Sequence, residues 1–256
     1  MSYLCIAKCE DMKFETIDDL RNAKKIYQDL FIEYMELGDV STLMDIFVSS
    51  VVHRASEINE AFNALTNEEY FNFIAATPLL RLQIDNLLYC YAGTLTTDWD
   101  DLMTCFLSGQ KWNTLKDVNG CELNEKYLLD KLCNFFHFEE LKRIYKESSD
   151  YVHFSVNHLY LIRTIDGNGN NTFTLGNSQP ENKDDIISVM LGLNIMLVQL
   201  LVSHWFALRE QEMQVLQEYR NKYPDKSDAE LFGQYAYGND KVRSLLSRRL
   251  VERDDN

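Results

Sequence analysis

The sequence predicts a mainly α-helical bundle with one β-hairpin insertion and a helical C-terminal extension. Three observations carry this. Breakers are scarce, 10 Gly and 3 Pro in 256 residues, which favours long helices over a sheet with many turns. Apolar residues recur at steps of three and four along most of the chain, the spacing of one helix face. A single stretch switches to strict alternation. The bundle with its hairpin takes residues 1–223, and the extension takes 224–256.

Each element has its own signals. Thr16 can cap Ile17-Asp18-Asp19-Leu20, and an apolar face runs through Ala23, Tyr27, Leu30 and Tyr34 to a stop at Gly38. A second helix is expected from about Ser41 to Leu65. A third runs from near Asn67 to Tyr91 and stops at Gly93, with Pro78 kinking or splitting it. Thr97-Asp98-Trp99-Asp100-Asp101 has the form of an N-cap with an acidic first turn, opening a short helix that ends near Gly109. Residues 110–123 form a loop, Asn124 caps a helix through Phe136, and another helix starts near Phe138. The period then becomes alternating. His158 to Ile165, the turn Asp166-Gly167-Asn168-Gly169-Asn170-Asn171, and Thr172 to Leu175 make strand, turn and strand near 158–175. The longest helix spans Lys183 to about Tyr223. Pro224 ends it, and Ser227-Asp228-Ala229-Glu230 opens a short helix by capping-box spacing.

From Ile186 to Leu208 that long helix has no formal charge, enough for a membrane span of about 20 residues. Ser188, Asn194, Gln199, Ser203 and His204 interrupt it, and no basic cluster supplies an orientation signal. A helix buried on all sides in a bundle reads the same way and is favoured over a membrane.

The net charge of −15 and the pI of 4.7 oppose non-specific attraction to nucleic acid or anionic lipid. Residues 241–253 run the other way, with Lys241, Arg243, Arg248, Arg249 and Arg253 against Glu252. That segment suits either a solvated helix end or a local basic patch. The six cysteines form no CxxC pair, so neither a zinc site nor a disulfide framework is indicated. Met1-Ser2-Tyr3-Leu4-Cys5 lacks the features of a signal peptide. A cytoplasmic protein with reduced thiols is the expectation.

Candidate chemistry concentrates in residues 145–155, Tyr-Lys-Glu-Ser-Ser-Asp-Tyr-Val-His-Phe-Ser. Helix interiors give Ser and Asp little to do, because these side chains compete with the backbone for hydrogen bonds. On a helix, Tyr145, Ser149 and His153 share one face. Asp150 lies three residues before His153, where it can fix the imidazole's tautomer or raise its pKa. His153 is thus a candidate acid or base, with Ser149 or Tyr151 beside it. A satisfied polar cluster that locks the helix to its neighbours fits the same residues. Arg81 is the second candidate, since it sits in the apolar run Pro78 to Leu88 with Asp85 four residues on. A buried guanidinium needs a partner. Asp85 can supply one structurally, or Arg81 can face His153 and hold a phosphate. His53, Glu57 and Glu60 form a polar stripe, but no Glu-x-x-His pair accompanies it, and His204 suits a hydrogen-bonded core position. No Gly-rich phosphate loop or zinc motif is present, so no cofactor or metal is expected.

The arrangement Tyr145, Ser149, Tyr151-Val152-His153 and Ser155, after the Arg81 helix and before an apolar helix, resembles a group of bacterial helical proteins. In that group a Tyr-x3-Ser-x-Tyr-Val-His-x-Ser motif recurs, and the group is similar to the HEPN superfamily. The resemblance covers roughly residues 40–210. It implies a helical bundle that is a metal-independent ribonuclease or a nucleotide binder, an effector of a defence or toxin system. His153 falls on the motif's histidine. The ribonucleases carry an Arg, four to six residues, then that His on one helix. Here the nearest before it is Arg143, with nine residues between, so only Arg81 could serve, through space. In the cleaving scheme His153 handles protons as a ribose 2′-OH attacks phosphate, Arg81 stabilises charge, and Ser149 or Tyr151 orients the phosphate. RNA or a nucleotide is then the partner, and a homodimer is open. The alternative is a non-catalytic helical interaction module whose polar cluster specifies packing, with partners bound through the hairpin or the basic segment.

Overall fold

A computed structural model of the chain describes residues 14–39, 41–67, 71–96, 99–110, 112–152, 163–165, 171–173 and 183–227. The helices are α1 (Ile17–Arg21), α2 (Ala23–Glu36), α3 (Leu43–Leu65), α4 (Phe73–Leu95), α5 (Trp99–Ser108), α6 (Glu125–Phe136), α7 (Glu140–Val152) and α8 (Lys183–Lys222). The described chain is a mainly helical bundle, as the breaker count and periodicity imply.

Helix α4 is its axis. It packs against α3 and α8 on one side and α6 and α7 on the other, while α2 lies on α3. A helix covered from both sides gives little of its surface to water, here chiefly Ile74 and Leu82. This is why Leu80, Gln83, Ile84, Asn86, Leu87 and Leu88 are all buried. The apolar half of α8 is also core, with Ile186, Ile187, Met190, Leu193, Leu197 and Leu200 buried. This helix is long and apolar enough to cross a membrane, and 56% of its most apolar window is buried inside the protein.

Local punctuation explains where the helices begin and where expectation and structure part. Thr16 caps α1 in a reciprocal box with Asp19, as expected, but the helix breaks at Asn22, whose side-chain amide donates to the Asp18 carbonyl (2.9 Å). One expected helix is therefore two. Thr42 opens α3 with a second box through Asp45. Asn72, not Asn67, caps α4 by accepting from the Ala75 N–H (3.1 Å). Pro78 sits in its second turn without splitting the helix. Nor does Gly93 end it. A Cβ there would lie 2.7 Å from the Trp205 ring, so this glycine is a packing residue that lets α8 close on α4. Asn124 caps α6, which stops at His137 in the left-handed region (φ 53°).

Trp205 belongs to a six-residue π-helical segment, Leu201–Phe206, inside α8. Its wider turn re-aims the side chains that follow. Trp205 thereby reaches Phe47 of α3 (5.1 Å between centroids), and Arg209 turns into the protein. Of the expected hairpin, Arg163–Ile165 and Asn171–Phe173 are described, and they pair antiparallel with Thr164 opposite Thr172. The rest of 158–175 lies outside the described residues. So does the basic segment 241–253, and with it most of the expected C-terminal extension.

Candidate functional site

Leu141, Ile144 and Ser148 turn one face of α7 into the protein. The adjoining stripe, Tyr145 and Ser149, faces α4, where Arg81 is waiting. The Arg81 Nε donates to Ser149 Oγ (2.9 Å). One terminal nitrogen donates to the Tyr145 hydroxyl and lies 3.6 Å from Glu125 Oε2, and the other pairs with Asp85 on its own helix. The guanidinium also stacks on the Tyr145 ring, 3.7 Å from its centroid. The Tyr145 hydroxyl donates to Glu125 Oε2 (2.6 Å), and Ser149 Oγ donates back to the Tyr145 carbonyl (2.7 Å). The arrangement is a closed circuit across α4, α6 and α7. Burial and the bond to Glu125 raise the Tyr145 pKa, and burial lowers that of Arg81.

Arg81 and Ser149 therefore meet in space. Tyr151 does not join them. It packs edge-on against Phe73 of α4 at 5.2 Å, and burial raises its pKa. His153 lies outside the described residues. Arg143, the arginine nearest His153 in sequence, is on the solvent face of α7, tied to Glu140 (2.6 Å) and Glu147 (2.9 Å). The Arg81–Asp85 pair expected on one helix is present. It is one part of a larger circuit that also takes in Tyr145 and Glu125. Glu125 follows an ordinary capping Asn, and nothing in the sequence connects it to Arg81.

Two further polar groups are fully inside. The Asn194 Oδ1 accepts from Tyr27 (2.6 Å), Gln83 (2.8 Å) and Asn59 (2.9 Å), and its Nδ2 donates to Asn59 Oδ1 (2.8 Å) and the Met190 carbonyl (2.9 Å). One amide thus joins α2, α3, α4 and α8. The only sequence signal for it is a lone Asn in an apolar run. The second group surrounds Arg209, whose guanidinium is 2.9 Å from Asp45 and 3.7 Å from Glu212 and lies 5.4 Å from the Tyr34 ring centroid. Burial raises the pKa of Asp45 and pushes the Glu212 carboxyl up to about 7.

The His53, Glu57 and Glu60 stripe is exposed, with Lys24 on Glu60 at 2.8 Å. His204 is half-buried beside Trp205, and burial lowers its pKa. Among the described residues no cluster of His, Cys, Asp or Glu could hold a metal. No family model, curated protein or solved structure matches this chain.

Proposed function

We propose that this protein is a non-catalytic helical module, HEPN-like in plan, in which the residues around Arg81 lock α7 onto α4. One observation carries the reading: each nitrogen of the Arg81 guanidinium is engaged inside the protein, by Ser149, by Tyr145 with Glu125, and by Asp85. A phosphate would have to displace these groups, two of which are carboxylates. In this reading the hairpin insertion near 158–175 and the basic segment 241–253 supply the surface for a partner, RNA or protein, in the cytoplasm. The test is a thermal and urea melt of Arg81→Ala beside Arg81→Lys. The alanine variant should lose about 1–3 kcal/mol, the worth of the charged hydrogen bonds that hold the half-buried guanidinium. Lysine should recover only part of this, because a point charge cannot serve three acceptors in different directions. Unchanged stability in both variants would exclude the lock.

A second reading, a metal-independent RNA-cleaving effector of a defence or toxin system, is favoured by the Arg81–Ser149 contact itself. His153 follows Ser149 by four residues, one helical turn if α7 continues. Arg81 would then be a positioning residue that holds α7, and His153 would move the proton. Incubating purified protein with total RNA, wild type beside His153→Ala, separates the two. Cleavage by the wild type alone establishes the second reading. Equal inactivity of two folded proteins sustains the first.

A further inference from the structure

A separate cleft of about 760 Å³ opens beside the Arg81 circuit, between α3, α4, α5 and the 112–126 segment. Its size falls in the range of ~300–1,000 Å³ that small-molecule sites occupy. Three features of its lining point to one kind of occupant. The first is aromatic. Tyr89 of α4 and Trp112 lie 4.8 Å apart at an angle of 33°, with Phe47 and Phe106 behind them. Flat rings of this kind hold a planar ligand by stacking.

The second is Arg54. It is half-buried on the cleft wall with its guanidinium 5.8 Å from the centre of the Tyr89 ring, and among the described residues it makes no hydrogen bond or ion pair. Its guanidinium lines the cleft with no protein acceptor among the described residues, so it can donate charge-assisted hydrogen bonds to a bound anion. Arg54 thus differs from Arg81, which is held by Ser149, Tyr145 and Asp85. The third is charge. The cleft is lined by Arg54 and Lys126 and by Asp85 and Glu125, and Arg81 partly neutralises both carboxylates from behind. The lining thus carries two cations and two anions, a near balance in a chain of net charge −15. That balance, with Arg81 partly neutralising the carboxylates, suits a ligand with one anionic group and disfavours a polyphosphate.

We propose that this cleft binds a small planar aromatic anion, one ring system carrying a single phosphate or carboxylate, with Tyr89 and Trp112 stacking the ring and Arg54 holding the charge. The site goes beyond the locking role of Arg81 and rests on it only in that Arg81 partly neutralises Asp85 and Glu125. Calorimetric titration of the full chain tests it, using adenosine 5′-monophosphate and indole-3-acetate as the two sources of this chemistry and adenosine as the neutral control. At least one of the two anions should bind and quench tryptophan fluorescence. Arg54→Gln should weaken that anion about tenfold or more, the loss of a charge-assisted contact, while leaving the melting curve and adenosine binding unchanged. Tyr89→Ala should weaken all the ligands that bind. Binding of the monophosphate alone or the carboxylate alone identifies the source. Absence of binding by both anions at millimolar concentration, or binding that Arg54→Gln leaves unaltered, overturns the proposal.

Discussion

Residue by residue, the cost of a buried polar group depends on whether its neighbours answer it. Glu212 shows this with a sign that can be measured. It shares one guanidinium with Asp45, and Thr42 donates to it at 3.2 Å. Burial raises its pKa from an ordinary 4.5 to about 7. Between those values the folded chain keeps a proton that the unfolded chain has lost, so the folded state binds more protons. Stability therefore falls as pH rises through that window. Glu212→Gln, which mimics the protonated acid, should melt like the wild type below pH 4.5. Above pH 7 it should be more stable by about 3 kcal/mol, following the worth of each pKa unit. Urea titrations at both pH values check this. Asp117 is the opposite case. The Tyr127 hydroxyl, donating at 2.6 Å, and the Cys121 and Asn119 amides hold its pKa down to about 2. That carboxylate stays charged and pins the 117–121 turn to α6.

At the scale of the elements, α4 and α8 carry most of the specification. Two apolar helices can slide along and rotate about each other, because apolar contact has no direction. Asn194 gives the interface a single register, since only one rotation places its amide against Asn59, Gln83 and Tyr27 at once. Asn194→Ala should cost about 3 kcal/mol or more, because it strands several buried polar groups together. Asn194→Leu should not restore the loss, and calorimetric melting would show both effects. The π-helical segment sets a second register by bringing Trp205 onto Gly93. Gly93→Ala would press a methyl into that ring at 2.7 Å. The expected result is a loss of about 1–3 kcal/mol from overpacking, relieved in part by Trp205→Phe, a pair readable as a double-mutant cycle. Gly93 looks like a helix stop in the sequence because glycine often ends helices. Here the same residue is chosen for its lack of a side chain.

For the whole molecule, α8 raises the question of membrane against core. A spanning helix needs lipid on its surface, whereas Ile186, Met190, Leu193 and Leu197 are buried by α4 and its neighbours. The full chain should accordingly stay monodisperse without detergent in size-exclusion chromatography. A requirement for detergent would place α8 in lipid. The helical class, the caps at Thr16 and Asn124, and the polar stripe of α7 were all legible in the sequence, because each depends on residues within a turn or two of one another. Arg81 was legible as a buried charge that required a partner, and Asp85 as one of its answers. Three things were not legible: that Glu125 and Tyr145 complete the circuit, that Asn194 is the meeting point of four helices, and that Arg54 stands in a cleft without an acceptor. Each joins residues far apart in the chain, and periodicity shows only which face a residue occupies, not what that face meets. The sequence by itself determined the helices and the places where polar groups would need answering. The packing of α4 between two layers decided which groups answer them, because burial and partnership are properties of neighbours brought together only when the chain folds.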